Sequence, residues 1–118
     1  MTDLSADTSA VDPAHAFIQA TVEEHPVVLF MKGVPEQPQC GFSALVVQVL
    51  DHLGVDFAGV NVLSSDELRQ GVKAYSNWPT IPQLYVKGEF VGGCDIVKEM
   101  FQTGELKSFL AEKGVIAA

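Results

Sequence analysis

Val27-Val28-Leu29-Phe30-Met31, then Lys32-Gly33-Val34-Pro35-Glu36-Gln37-Pro38-Gln39, then Cys40-Gly41-Phe42-Ser43: this stretch decides how the chain is read. The unbroken apolar run of 27–31 predicts a central strand covered on both faces. Gly33 to Gln39, with Pro35 and Pro38, predicts a loop. From Ser43 to Leu53 the apolar positions return at helical spacing, with Val46, Val49, Leu50 and Leu53 on one face and Gly54 as the stop. Cys40 therefore stands where a loop enters a helix. Unpaired N–H groups and the helix dipole favour an anion there, and a thiol so placed is commonly reactive as the thiolate. Gly41 lets a ligand or another backbone approach closely. The competing reading of Cys40 is a small buried residue.

Working outward, residues 1–11 are small, polar and acidic and predict a disordered tail. Asp12-Pro13 predicts a helix start, with Asp12 as N-cap, and that helix should end near His25-Pro26. Val55 to Asn61 predicts a second strand, with Val55, Phe57 and Val60 as its buried positions. Ser64 to Glu67 fits a capping box opening a helix to about Tyr75. Ile81 to Val86 predicts a third strand, Lys87-Gly88 a tight turn and Phe90-Val91 a fourth strand. Gly92-Gly93 breaks that strand, and the remainder from about Asp95 reads as helix. The result is one domain over 12–118, with the order helix, strand, helix, strand, helix, strand, strand, helix. A βαβ unit feeding a hairpin and then a helix resembles the thioredoxin-like α/β fold, a central four-stranded mixed sheet flanked by helices.

Apolar residues form 47% of the 118, enough for a core. The formal charge of −8 argues against nonspecific nucleic-acid binding and against an anionic membrane surface. It also makes the few basic residues worth locating, Lys32, Arg69 and Lys73 among them. No apolar stretch approaches the ~20 residues of a membrane span. Met1 to Asp7 is acidic and polar, unlike a signal or transit peptide, so the cytosol is the expected compartment, with an organelle matrix left open. Two cysteines, Cys40 and Cys94, do not make a secreted disulfide scaffold. His15, His25 and His52 are not spaced as metal ligands.

Four sequence blocks, taken together, carry a specific resemblance. Lys32-Gly33 follows the first strand, and Cys40-Gly41-Phe42-Ser43 follows the proline-containing loop. Trp78-Pro79-Thr80-Ile81-Pro82-Gln83 precedes the third strand, and Gly92-Gly93-Cys94-Asp95 closes the fourth. In this order, over about residues 12–113, they resemble the monothiol glutaredoxins of the Cys-Gly-Phe-Ser class. Ser43 stands where a dithiol enzyme has the second thiol that resolves a mixed disulfide, and a hydroxyl cannot do that. The longer loop of 34–39 is also similar to that class.

The resemblance implies a glutathione site. Lys32 and Arg69 match positions that grip glutathione carboxylates, a task suited to cationic donors. Asp95 matches the residue contacting the glutamyl end. The helix start after Gly93 would offer N–H groups of Cys94 and Asp95 to a carboxylate. Phe42 counts among the binding positions, and Trp78 would pack beside the site. Pro82 matches the cis-proline of the fold, which would aim the Ile81 backbone at the cysteinyl part of glutathione.

The resemblance further implies a [2Fe–2S] cluster held between two chains. Such a cluster takes four ligands, and Cys40 from each chain plus two glutathione thiolates supply them. The implied partners are a second copy of the chain, a BolA-like protein and apo iron–sulfur recipients. Three functions stay open on the residues: a cluster carrier, a glutathione-dependent oxidoreductase acting on mixed disulfides, and an iron-sensing interaction module. Cys94 stays open as well, either as a backbone donor with a small side chain or as a thiol able to form a reversible disulfide with Cys40.

Overall fold

The computed structural model describes residues 12–116, so the tail expected over 1–11 lies outside the described residues, as do 117 and 118. The element order is α1 (Pro13–Glu24), β1 (Val27–Met31), β2 (Gly33–Val34), β3 (Gln37–Pro38), α2 (Gly41–His52) and β4 (Ala58–Asn61). A short 3-10 turn (Val62–Ser64) follows, then α3 (Asp66–Ser76), β5 (Gln83–Val86), β6 (Glu89–Gly92), α4 (Cys94–Thr103) and α5 (Glu105–Glu112).

One four-stranded sheet has the order β4-β1-β5-β6. β1 runs parallel to β4, with Val28 opposite Ala58, and antiparallel to β5, with Leu29 opposite Leu84. The sheet is therefore mixed, as expected. The five residues of β1 are all buried, and the pleat sends alternate side chains to opposite faces. Val27, Leu29 and Met31 join Val46, Leu50, Val97, Leu106 and Leu110 on one side. Val28 and Phe30 join Ile18, Val22, Val72 and Tyr85 on the other. The continuous apolar run thus exists because both faces are covered, by α2, α4 and α5 on one side and by α1 and α3 on the other.

Local chemistry explains the element ends. Asp12 caps α1, its Oδ1 accepting from the N–H groups of Ala14 (3.1 Å) and His15 (3.4 Å). Such a cap contributes about 1 kcal/mol. The capping residue of α3 is Ser65, whose hydroxyl accepts from Leu68 N–H at 3.2 Å. The expected Ser64–Glu67 box fails because Val62–Ser64 are wound into the 3-10 turn, capped by Asn61. The second strand is shorter than expected. Val55 and Phe57 still pack into the core, but only 58–61 lie alongside β1. The third strand likewise starts at Gln83, two residues late, because the cis Ile81–Pro82 bond turns the chain first. The loop of 33–39 contains a small hairpin, with Gly33 opposite Pro38 and Val34 opposite Gln37. The final helix is two: Gly104, at φ +83°, ends α4 and starts α5, a backbone state glycine adopts without steric cost.

Candidate functional site: a cleft beside Cys40

Cys40 is the N-cap of α2, with extended backbone (φ −149°, ψ 135°) and no side-chain capping bond. Its thiol is free and half-buried. The Ser43 N–H at the start of α2 holds this thiol below its usual range; the Phe42 N–H, the Lys32 charge and the Ser43 hydroxyl add to that, and partial burial opposes it. Ser43 is fully buried. Its Oγ accepts from the Lys32 N–H at 3.1 Å, and the Gln39 N–H donates to the Lys32 carbonyl at 2.8 Å. The Lys32 backbone is thereby tied both to the helix that carries Cys40 and to the residue before Cys40. Gly33, at φ +92°, has no room for a Cβ, which would lie 2.6 Å from Gln39 N and 2.7 Å from the Gln37 carbonyl.

A cleft of about 320 Å³ opens beside this helix start. Lys32 and Lys73 line it, and Pro79, Thr80, Ile81 and Pro82 form a wall. Cys94 and Asp95, the first two residues of α4, join the lining, and Phe42 completes the rim. Phe42 also lines a second, shallower hollow of about 550 Å³ with Cys40, Gly41, Ala44, Leu45 and Gln48. Phe42 is 63% exposed, so an apolar ring stands in water at the junction of the two.

The wall is fixed by a buried amide. Gln83 is fully buried; its Nε2 donates to the carbonyls of Trp78 (3.2 Å) and Thr80 (3.1 Å), while Tyr85 OH donates to its Oε1 at 3.3 Å. A buried amide with these partners locks the loop ahead of the cis bond. The bond between Ile81 and Pro82 is cis, as the resemblance implied. The start of α4 is held against this wall by close approach: a Cβ on Gly93 would stand 3.2 Å from Trp78 Nε1 and 3.3 Å from the Pro82 carbonyl. Trp78 Nε1 is itself buried without a partner.

Of the residues singled out in the sequence, Lys32, Phe42, Ile81, Pro82, Cys94 and Asp95 meet around the one cleft. Cys40 lies in the adjoining hollow. Arg69 is not brought to the cleft wall. Its guanidinium pairs with Asp66, and its Nε is buried without a partner. Lys73, one helical turn further along α3, lines the cleft in its place. The i, i+4 spacing of the two cations was the available signal for Lys73. Thr80, Pro79 and the anchoring role of Gln83 had no signal beyond their place in the Trp78–Gln83 block.

Cys94 differs from Cys40 in kind. Burial pushes its thiol up, Asp95 and Cys40 add to that, and Lys98 opposes it. The two directions give an ordering. Cys40 should become thiolate at lower pH than Cys94, and so react first as pH rises. Iodoacetamide labelling over a pH series, read per cysteine by mass spectrometry, checks this. The expected result is a lower midpoint for Cys40, and an inverted order would contradict the assignment of Cys40 as the reactive thiol.

Comparison with known proteins agrees with this geometry. The glutaredoxin family model matches residues 27–91. The chain is 51% identical over 111 residues to rice monothiol glutaredoxin-S11, covering 94% of this chain but 23% of that protein, so it spans about a quarter of that relative's length. It is 55% identical over 97 residues to the probable monothiol glutaredoxin 2 of Rickettsia typhi, covering 82% of this chain and 87% of the relative. It is 60% identical over 98 residues to the mitochondrial monothiol glutaredoxin-5 of Lachancea kluyveri, covering 80% and 68%. Among solved structures, a monomeric truncated mutant of Trypanosoma brucei 1-C-Grx1 superposes with TM-score 0.79 at 44% identity, covering 86% of this chain and 93% of that one. A buckwheat glutaredoxin–glutathione complex superposes with TM-score 0.76 at 27% identity, covering 88% and 93%. With a matched family model over more than half its length, the thioredoxin-like sheet and a Cys-Gly-Phe-Ser helix start, this chain belongs to the glutaredoxin family, among its monothiol members.

Proposed function

We propose that the chain binds glutathione in the cleft, and that two copies use Cys40 and the bound glutathione thiols to hold a [2Fe–2S] cluster and pass it to apo iron–sulfur proteins. The observation that carries this is the match between the cleft and the ligand. Glutathione has two carboxylates, an ammonium group, amides and a thiol. Lys32 and Lys73 suit one carboxylate. The N–H groups of Cys94 and Asp95 at the start of α4 suit the other, and the Asp95 carboxylate suits the ammonium group. The Ile81 backbone beside the cis-proline suits strand-like pairing with the cysteinyl amides. That alignment would point the glutathione thiol toward the Phe42 rim, beyond which Cys40 lies. The glutathione-bound buckwheat relative supports the ligand. Arg69 would join the carboxylate grip by releasing Asp66, which makes it the weaker of the two α3 cations.

The cluster fits this chain only as shared cargo. Among the described residues no three Cys, His, Asp or Glu side chains group as a metal site. Cys40 can offer one soft thiolate at an open surface. A second Cys40 and two external thiols would bring the ligands to four. Ligands held partly by a diffusible tripeptide exchange readily, which suits delivery. A BolA-like protein would be the alternative to the second copy. We place the activity in a reducing compartment, the cytosol or an organelle matrix, where two free thiols persist; no helix of the described residues is long and apolar enough to cross a membrane. Anaerobic reconstitution with iron, sulfide and glutathione, followed by mixing with an apo-ferredoxin, tests the proposal. Transfer of the visible absorbance to the ferredoxin is expected, and a chain that assembles no cluster would refute it.

The oxidoreductase reading has one observation in its favour, the lowered thiol of Cys40. Its Cys-x-x-Ser arrangement works against turnover: the buried Ser43 hydroxyl is engaged with the Lys32 backbone and cannot resolve a mixed disulfide. We expect weak activity in a glutathione mixed-disulfide reduction assay, well below a dithiol glutaredoxin run alongside. Equal turnover would establish the enzyme reading instead.

A further inference from the structure

The hairpin between Lys32 and Cys40 lies over the edge strand β4, and two residues of that strand receive it. Asn61, the last residue of β4, directs its side-chain Oδ1 at two backbone donors. It accepts from Gly33 N–H at 3.0 Å and from Leu63 N–H at 2.9 Å. One side chain therefore pins the first residue of the hairpin and caps the turn that follows β4. Two residues earlier, Gly59 is opposite Leu29 of β1. A Cβ there would run into the ring of Pro35, with the Pro35 Cδ only 2.8 Å away, and would crowd Met31 Sδ at 3.4 Å. The missing side chain is a slot, and the proline of the hairpin fills it. Neither residue touches the cleft or the hollow beside Cys40.

We propose that Asn61 and Gly59 are positioning residues: by seating the hairpin on β4 they set where Lys32 stands relative to Cys40 and to the cleft. The connection is short. Gly33 is covalently next to Lys32. The far arm of the hairpin returns to Lys32 through the Gln39 N–H and leads directly into Cys40. The Lys32 N–H ends on Ser43 in the first turn of α2. A hairpin that lifts off β4 carries Lys32 away from its place between the start of α2 and the cleft. The consequence for glutathione rests on the reading that Lys32 grips a carboxylate; the placement of Lys32 relative to Cys40 does not.

The test is the reach of Lys32 to Cys40 in the full chain: a short thiol-to-amine linker is attached to Cys40 to completion, and the yield of its bond to Lys32 is read by mass spectrometry. We expect Asn61→Ala to lower that yield several-fold, with the far-UV circular dichroism unchanged. Gly59→Ala should do the same through its clash with the proline ring. Pro35→Ala removes the clashing ring atoms, so the double variant Gly59→Ala with Pro35→Ala should return towards the yield of Pro35→Ala alone. A merely structural role would lower melting temperature without changing the yield or allowing this specific rescue. If Gly59→Ala does not fold, Asn61→Ala decides alone. A folded Asn61→Ala protein with an unchanged yield overturns the proposal, as does a folded Gly59→Ala protein that Pro35→Ala fails to rescue. If the yields fall as expected but glutathione affinity, measured by calorimetry, does not, the positioning role stands and the Lys32–glutathione reading fails.

Discussion

Cys40→Ser is expected to abolish assembly of the [2Fe–2S] cluster while leaving the fold intact, and Cys94→Ser is expected to retain it. The fold is indifferent to the change because Cys40 caps α2 without any side-chain hydrogen bond, and serine is an accepted capping residue. The chemistry is not indifferent. The α2 N–H groups and Lys32 favour the thiolate of Cys40, and a thiolate is what a cluster iron binds. Cys94 is pushed the other way, with its thiol held protonated by burial and by Asp95. Its backbone N–H, which the substitution leaves in place, is the part proposed to serve glutathione. Visible absorbance after anaerobic reconstitution, compared across wild type and both variants, checks the pair. Full cluster retention in Cys40→Ser would show that another residue is the ligand.

Glutathione should be required for the cluster to form, and no other reductant should replace it. Without it, two Cys40 thiolates leave the two irons with half their ligands. A simple reductant can keep Cys40 reduced, but it has no carboxylates for Lys32 and Lys73 and no amides for the Ile81 edge. Lys32→Glu should therefore weaken assembly, since a charge-assisted bond contributes about 1.5–3 kcal/mol, roughly a ten- to hundredfold rise in the glutathione needed. Arg69→Glu should have a smaller effect, because its guanidinium is already engaged by Asp66. Cluster absorbance measured over a glutathione titration for each variant gives these midpoints directly. Equal midpoints for wild type and Lys32→Glu would remove Lys32 from the site.

Much of this architecture was legible in the chain, and the gaps have physical causes. The apolar run of β1 announced a strand buried on both faces, and the sheet order bears that out. Asp12-Pro13 announced a helix start because a cap is a local interaction, written in adjacent residues. The Ser64–Glu67 box was just as local and failed, because the Asn61 side chain winds the preceding residues into a 3-10 turn. A capping motif does not report a competing turn. The cis bond at Pro82 came from the resemblance; nothing in the dipeptide itself distinguishes it. The hairpin inside the 33–39 loop was hidden because its seat is on a distant strand, at Gly59 and Asn61. Most of the cleft residues were found because they sit in compact blocks of sequence. In the sequence Lys73 is only one of few cations, and the family resemblance favours Arg69. Which of two cations one turn apart reaches a cleft depends on a neighbour, here Asp66.

The composition of the loaded species decides whether two chains and two glutathiones share the cluster. Protein reconstituted anaerobically with iron, sulfide and glutathione is passed over a size-exclusion column with in-line absorbance, and the coloured peak is assayed for iron and glutathione. The expected species is a dimer carrying two irons and two glutathiones, in keeping with four thiolate ligands shared between chains, which falls to a monomer when the cluster is stripped. A stable loaded dimer containing no glutathione would contradict it, and would assign the missing ligands to Cys94 of each chain.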